Sequence, residues 1–308
     1  MSFRATLPSL SHKLPPSSRA WLSRQFRDPY VRARLSYPAN YRSRSAFKLI
    51  ELDQRFKFLQ HDDVKTVVDL GAAPGGWSQV VAGKMGWTEQ SVAGLAEVMH
   101  ARAKKKQVEG QARGSFGLKG PEKEPDTGSW SPDVQIDEVD PLRELGLDQD
   151  ITPPPVGRGT IVAVDLLRIE PIAGVKTLQM DFLSPEADAY INALLPSEPG
   201  TEGKADVILS DMAGNFSGNK TADIESSIDI CSAVFEFAQR HLRTSKSIGR
   251  RQGGVLVLKH FAHPRSVEFR AEKLTPNFGM VHYVKPPASR AGSGEGYWVC
   301  TGWKPVTT

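Results

Sequence analysis

Four things are scarce in this chain of 308 residues, and each scarcity closes a class of explanation. Cysteine appears twice, at Cys231 and Cys300, and neither belongs to a CxxC pair. A disulfide framework and a cysteine zinc site are thereby disfavoured, and a reducing compartment fits better. Long apolar runs are missing: no 18 consecutive residues are apolar, so no membrane span is expected. Acid is nearly absent from residues 1–50, where Asp28 stands alone against ten Lys or Arg, a balance of +9, while the remaining 258 residues carry −5. Large apolar side chains are scarce between residues 88 and 158, a stretch of 13 acids, 9 bases and several Gly/Pro clusters. Such a composition buries too little surface to offset the entropy of ordering, so 88–158 is read as a largely disordered insertion. Its start, TEQSVAGLAEVMHARAKKKQ, could form a helix, with the lysines at 104–106 on a solvated face.

The basic N-terminus has two compatible readings. Residues 1–20, rich in Arg and Ser and free of acids, suit a mitochondrial targeting segment and hence a matrix location. Residues 21–48 interleave Trp21, Phe26, Tyr30, Tyr37, Tyr41 and Phe47 with arginines, a pattern that suits contact with a nucleic acid. Residues 21–308 are expected to form a single domain carrying this basic arm, and to act as a monomer.

Periodicity supplies the rest of the organisation. Apolar residues at 46, 47, 49, 50, 52, 56 and 59 have helical spacing, with Ser43 or Ser45 as the cap. Strands are expected at 64–70, 160–166, 175–182, 205–212 and 254–259, and a closing pair at 278–286 and 296–305. Helices are expected from Gly76, over 221–243 and over 264–275. Alternating strand and helix predict an α/β fold with a doubly wound, mostly parallel sheet of seven strands. The last two strands lack a crossover helix, so the last should run antiparallel. In GGVLVLKHF (253–261) an apolar strand runs into Lys259, an odd place for a charge without a partner. Asp69, Asp165, Asp181, Asp211 and Lys259 all fall near strand ends on one rim, where ligands of such sheets bind.

DLGAAPGGW (69–77) is a glycine-rich turn from strand to helix. Gly71, Pro74, Gly75 and Gly76 let a ligand approach the backbone, and the helix start offers N–H donors. Asp165, ending the second strand, is placed to accept from ribose hydroxyls. These features imply a nucleoside-containing cofactor; NAD and S-adenosylmethionine both fit.

YRSRSAFKL, VVDLGAAPGGWSQV, VAVDLLRIEPIAGV, MDF, SDMAGNFSG, VLVLKHF and KPPASRAGSGEGY together, in that order, resemble the FtsJ (RrmJ) family. The resemblance implies a Rossmann-like methyltransferase sheet, S-adenosylmethionine as cofactor, and 2′-O-methylation of RNA ribose. It implies a catalytic tetrad of Lys48, Asp211, Lys259 and Glu295, with cofactor contacts at Gly75, Trp77, Asp165, Asp181 and Asp211. Ala72 stands where relatives acting on tRNA anticodon loops usually have cysteine, which favours a uridine in large-subunit ribosomal RNA, as in bacterial-type and mitochondrial members. The partner would be that RNA or the large ribosomal subunit. Alternatives are an RNA-binding ribosome-assembly factor with incidental catalysis, and a methyltransferase acting on tRNA. The chain departs from the family in the 88–158 insertion, in Gly214 where proline is typical, and in Gly292 and Gly294 where arginine is common.

For Lys259 to act as a free base near pH 7, its pKa would have to fall roughly 3 units from about 10.4, on the order of 4 kcal/mol. Neighbouring carboxylates oppose that, so orienting the hydroxyl and stabilising the developing alkoxide is the preferred role. His260 and His263 form an HxxH without acidic or cysteine companions, so no metal is expected. Cys231, Trp298 and Trp303 read as packing. Lys285 and Arg290 flank the Glu295 loop and could meet phosphate.

Overall fold

A computed structural model of the chain describes residues 28–36, 40–87, 157–196, 203–214 and 220–306, together with the isolated positions 18, 22, 23 and 26. The proposed targeting segment, apart from Ser18, and positions 88–156 of the proposed insertion lie outside the described residues.

Seven strands form one sheet in the order β3-β2-β1-β4-β5-β7-β6. They are β1 (Thr66–Leu70), β2 (Thr160–Asp165), β3 (Val175–Gln179), β4 (Val207–Ser210), β5 (Val255–Phe261), β6 (Phe278–Val284) and β7 (Glu295–Trp303). β7 runs antiparallel to both its neighbours, and every other pairing is parallel. The expected topology is therefore the observed one. The central strands β1 and β4 are buried at every position, as strands covered on both faces must be.

Among the described residues eight α-helical segments flank the sheet: α1 (Pro29–Ser36), α2 (Ala46–Phe56), α3 (Gly76–Lys84), α4 (Ala187–Leu194), α5 (Lys220–His241), α6 (Ser245–Ile248), α7 (Pro264–Phe269) and α8 (Thr275–Asn277). One face of the sheet packs α2 and α3 through Leu49, Leu52, Trp77 and Val81, against Val67, Val257 and Val299. The other packs α4 and α5 through Ile191, Cys231 and Phe237, against Val68, Leu256 and Trp298. Cys231 and Cys300 are both free and buried in that second core.

Four local expectations change. The helix expected over 264–275 is three pieces, because a π-helical turn, Arg270–Leu274, separates α7 from α8. Neither Ser43 nor Ser45 caps α2: Ser45 occupies the N-cap with helical dihedrals and makes no capping bond, since its hydroxyl is committed elsewhere. Gly157 and Arg158, assigned to the insertion, belong to the described body. The Arg158 N–H donates to Met85 O, and the Trp87 indole donates to Arg158 O. Finally, Lys259 does not end its strand. Parallel pairing with β4 stops at Ser210↔Leu258, but antiparallel pairing with β7 continues to Phe261↔Glu295. Lys259 thus sits on a ledge, paired on one side and free of a strand neighbour on the other.

Candidate active site

That ledge belongs to a row along the sheet's carboxyl edge. Register pairs Val164 with Leu70, Leu70 with Ser210, Ser210 with Leu258 and Leu258 with Trp298. One residue further along each chain come Asp165, Gly71, Asp211 and Lys259, and Lys259 pairs with Tyr297. Strand order reverses between β1 and β4, so this row crosses the switch point where such sheets take ligands. Three strand spacings, about 14 Å, separate Asp165 from Lys259.

At the Lys259 end the four tetrad candidates meet. Lys259 Nζ lies 3.1 Å from Asp211 Oδ1 and 3.9 Å from Glu295 Oε2, and donates to the Asp211 carbonyl at 3.2 Å. Lys48 Nζ donates to Glu295 at 3.0 Å. The helix α2 delivers Lys48, the end of β4 Asp211, β5 Lys259 and the start of β7 Glu295. Charges alternate along the chain Lys48–Glu295–Lys259–Asp211, so no buried charge lacks an opposite neighbour, the condition for tolerating burial.

Two members of this network were not foreseen. The Tyr297 hydroxyl donates to Asp211 Oδ1 at 2.6 Å and accepts from Lys48 Nζ at 3.1 Å, closing the ring of charges. Ser45 donates its hydroxyl to Asp211 Oδ2. Both had a readable signal: Tyr297 is two strand positions from Glu295, on the same side of β7, and Ser45 is three helical positions from Lys48. Burial alone would push the Asp211 carboxyl up, but Lys259, Lys48, Ser45 and Tyr297 together hold it below the ordinary value. Tyr297 is pushed well above its ordinary value by burial and by Asp211 and Glu295, so its hydroxyl remains a donor.

The other end of the row has the features of a nucleoside site. Asp165 accepts the Ala73 N–H and the Leu167 N–H, one on each oxygen and both at 2.8 Å. Each oxygen keeps a second lone pair for a ribose hydroxyl. Asp181 accepts the Leu183 N–H, and the side chains of Leu166, Leu167 and Leu183 stand exposed around the two carboxylates. An apolar cover beside hydroxyl-accepting carboxylates fits the adenosine part of S-adenosylmethionine. The turn after β1, beside Asp165, is set by Gly71 and Gly75, both in the left-handed region at φ 72° and 104°. A Cβ at Gly71 would stand 2.0 Å from Met212 Cγ, and one at Gly76 would stand 2.1 Å from Ser43 Oγ, so these glycines also permit close packing of the loops. Pro74 lies within the turn, and its carbonyl accepts from the Arg42 guanidinium. Beneath the turn Asp69 is fully buried. Burial is the main reason its carboxyl is pushed up to about 7; the Ser78 hydroxyl, donating at 2.6 Å, opposes this, and Asp211 and Asp165 add to it.

The structure adds detail to several site expectations. The Trp77 indole is buried, tilted against Tyr297 at 5.8 Å, and donates to Ser45 O. It supports the tetrad from behind. Within the basic arm, Tyr30 and Tyr41 pack on Phe47, which is buried, so these three anchor the arm, while Phe26 stands exposed. Arg34, Arg42 and Arg44 are spent on backbone carbonyls, of Arg42, of Glu170 and Pro171, and of Ala288 respectively. Trp21 and Tyr37 lie outside the described residues. Lys285 donates to Ala291 O and Ser293 O and so staples the Glu295 loop from within, while Arg290 approaches Asp28 at 4.0 Å. His263 accepts from the Arg265 N–H and caps α7. His260 stacks on Trp298 with centroids 3.7 Å apart. Among the described residues no group of three or more His, Cys, Asp or Glu is arranged to hold a metal ion, and no described helix is long and apolar enough to cross a membrane.

A mostly parallel sheet with a reversed seventh strand, a nucleoside-binding rim and a lysine held between carboxylates defines a Rossmann-like methyltransferase. The fold is similar to the crystal structure of a Plasmodium falciparum protein described as a ribosomal RNA methyltransferase, with a TM-score of 0.53 at 21% identity over 85% of this chain and 98% of the other. The chain belongs to the FtsJ-like methyltransferase family, whose sequence profile matches residues 41–116 and 127–303. Its relatives include the ribosomal RNA large subunit methyltransferase E of Bradyrhizobium diazoefficiens, 32% identical over 288 residues, covering 94% of this chain and 89% of the relative. The protein of the same name from Xanthobacter autotrophicus is 34% identical over 289 residues, covering 94% of this chain and 80% of the relative. The cofactor is accordingly S-adenosylmethionine.

Proposed function

We propose that this protein methylates the 2′ oxygen of a ribose, on a uridine, in large-subunit ribosomal RNA. The observation that carries the reading is the position of Lys259. Its Nζ stands on the sheet rim between Asp211 and Glu295, about three strand spacings from the ribose-accepting Asp165. The names of the bacterial relatives support the RNA substrate.

S-adenosylmethionine supplies a methyl group on a sulfonium, and the chain must do the rest. Lys259 Nζ donates to the ribose 2′ oxygen and neutralises the charge that grows there as the hydroxyl proton passes to water. Asp211, fixed by Ser45 and Tyr297, sets where that ammonium points, and its negative charge faces the cofactor end of the row. Glu295, held by Lys48, limits Lys259 from the other side. Orientation of this kind is worth several orders of magnitude in rate when it is built before the substrate arrives.

The test is tritium transfer from labelled S-adenosylmethionine into a large-subunit ribosomal RNA fragment, followed by mapping of the methylated nucleotide. Label on a 2′ oxygen of that RNA supports the reading. Label on tRNA alone, or RNA binding without label, replaces it with one of the two alternatives. A mitochondrial matrix location is part of the proposal and rests on the composition of residues 1–20. Fusion of those residues to a fluorescent protein tests it, and a cytosolic signal would sink it.

A further inference from the structure

Lys259 and His260 are consecutive on β5, so their side chains leave opposite faces of the sheet. Lys259 enters the tetrad. His260 instead lines a cavity of about 490 Å³ behind it, with Ala262, Val267, Arg270, Tyr283 and Trp298 among the walls. That volume lies within the range of sites that hold small ligands. The cavity is built of rings. His260 stacks flat on Trp298, Phe269 stacks on Trp298 at 5.6 Å, and Tyr283 meets His260 edge-on at 5.4 Å. Gly296 makes room for this, because a Cβ there would stand 2.4 Å from the Tyr283 ring.

One polar atom in this wall is unexplained. His260 is 3% exposed, its Nδ1 lies 3.4 Å from Phe261 O, and its Nε2 is buried with no hydrogen-bond partner among the described residues. A buried nitrogen of this kind calls for a partner, which an N–H brought by a ligand could supply. Burial drives the imidazole down to about 4, so it is neutral. With Nδ1–H directed at Phe261 O, Nε2 is an acceptor. A neutral acceptor takes an N–H, and Tyr283, half exposed, offers a ring face beside it. The cavity is also tied to the catalytic loop, since the Ala262 N–H donates to Gly294 O. His260 follows Lys259 directly on β5, so this wall adjoins the place proposed for the target ribose.

We propose that this cavity receives an unstacked base of the substrate RNA, one carrying an N–H donor and lying next to the methylated nucleotide. The proposal rests on the RNA reading above. Val267 is 66% exposed and lines the cavity, so Val267→Trp fills it without disturbing the core. The readout is equilibrium binding of a fluorescent large-subunit ribosomal RNA fragment to full-length protein saturated with S-adenosylhomocysteine. Binding needs no turnover, and a parallel methylation lane uses the same fragment. Val267→Trp should weaken binding about tenfold, near the low end for loss of one stacked base. An abasic site at one flanking position should weaken the wild type equally and add nothing to Val267→Trp, since both remove the same contact. His260→Phe, which keeps the stack and loses the acceptor, should weaken binding several-fold. Equal affinity of Val267→Trp and wild type, or additive losses at every abasic position, overturns the proposal. Free cytidine that binds wild type but not Val267→Trp, with no abasic dependence, also overturns it by making a free nucleoside the occupant. An unmethylated fragment overturns the function reading instead, and leaves the comparison of Val267→Trp with wild type intact.

Discussion

Removing one oxygen atom, in Tyr297→Phe, should damage both the stability and the rate of this enzyme. The ring will stay where it is, buried against Trp77 and flanked by Val257 and Val299 in the core. Only two hydrogen bonds go: donation to Asp211 Oδ1 at 2.6 Å, and acceptance from Lys48 Nζ at 3.1 Å. Each involves a charged group, for which roughly 1.5–3 kcal/mol is typical, and the two are not additive because they share one oxygen. Asp211 keeps Ser45 and Lys259, and Lys48 keeps Glu295, so a loss of about 2 kcal/mol is expected. For a body of this size that lowers Tm by about 4–8 °C. The rate should fall further than stability suggests. Asp211 Oδ1 is shared between Tyr297 and Lys259, so losing the hydroxyl lets the carboxylate turn towards Nζ and pull it off line. Misplacement on the order of 1 Å costs roughly a hundredfold. Because the hydroxyl is far from ionising, the loss should be the same across neutral pH. Single-turnover methylation at saturating cofactor and RNA, beside a thermal melt, gives both numbers. A kcat within twofold of wild type would show that Tyr297 merely packs.

Three further outcomes are expected. Lys259→Ala should reduce kcat by about a thousandfold or more, while calorimetry finds cofactor binding changed by less than about threefold, since its partners lie at the far end of the row. Arg42→Lys loses the fork that holds the carbonyls of Pro74, Glu170 and Pro171 around the cofactor end, so the cofactor Kd should rise about tenfold with kcat little altered. Asp69 has a folded pKa raised above its unfolded one, so its contribution is present below the ordinary carboxylate pKa of 3.8 and is lost as pH rises through about 7. Between pH 5 and pH 8 the wild type should therefore lose roughly 3 kcal/mol relative to Asp69→Asn in urea unfolding. Parallel stability curves for the two proteins would contradict the buried, protonated carboxyl.

The parts of this fold that were legible share a physical origin. Parallel strands buried on both faces read as unbroken apolar runs, so β1, β2, β4 and β5 stood out, and the missing crossover before β7 gave away its direction. The tetrad was legible through resemblance, whereas Tyr297 and Ser45 required knowing which neighbours a charged group would recruit. The arginines of the arm show the limit of such a reading. Arg34, Arg42 and Arg44 look like a polyanion site in one dimension, but each donates to backbone carbonyls, eight positions away for Arg34 and Arg42 and 244 for Arg44 and Ala288. Charge composition reports how many donors exist, not which acceptors the fold brings to them. The end of β5 was misjudged by two residues because the strand that extends it, β7, comes about 40 residues later.

The alternation of charge in the tetrad also bears on why Lys259 is held between two carboxylates at all. A lone lysine on this ledge would be a weaker instrument, free to swing among rotamers and to lose its proton to burial. Asp211 and Glu295 fix its position, yet neither neutralises it alone, since each is shared: Asp211 with Tyr297 and Ser45, Glu295 with Lys48. Sharing spreads the negative charge away from Nζ and leaves it able to answer one more oxygen. The ammonium therefore meets the ribose already oriented and incompletely satisfied. Such preorganisation favours the state in which the ribose oxygen carries charge over the state in which it does not. Deleting a single hydroxyl from this network should consequently weaken catalysis more than folding, and the split between the two in Tyr297→Phe measures how much of the network exists for the reaction.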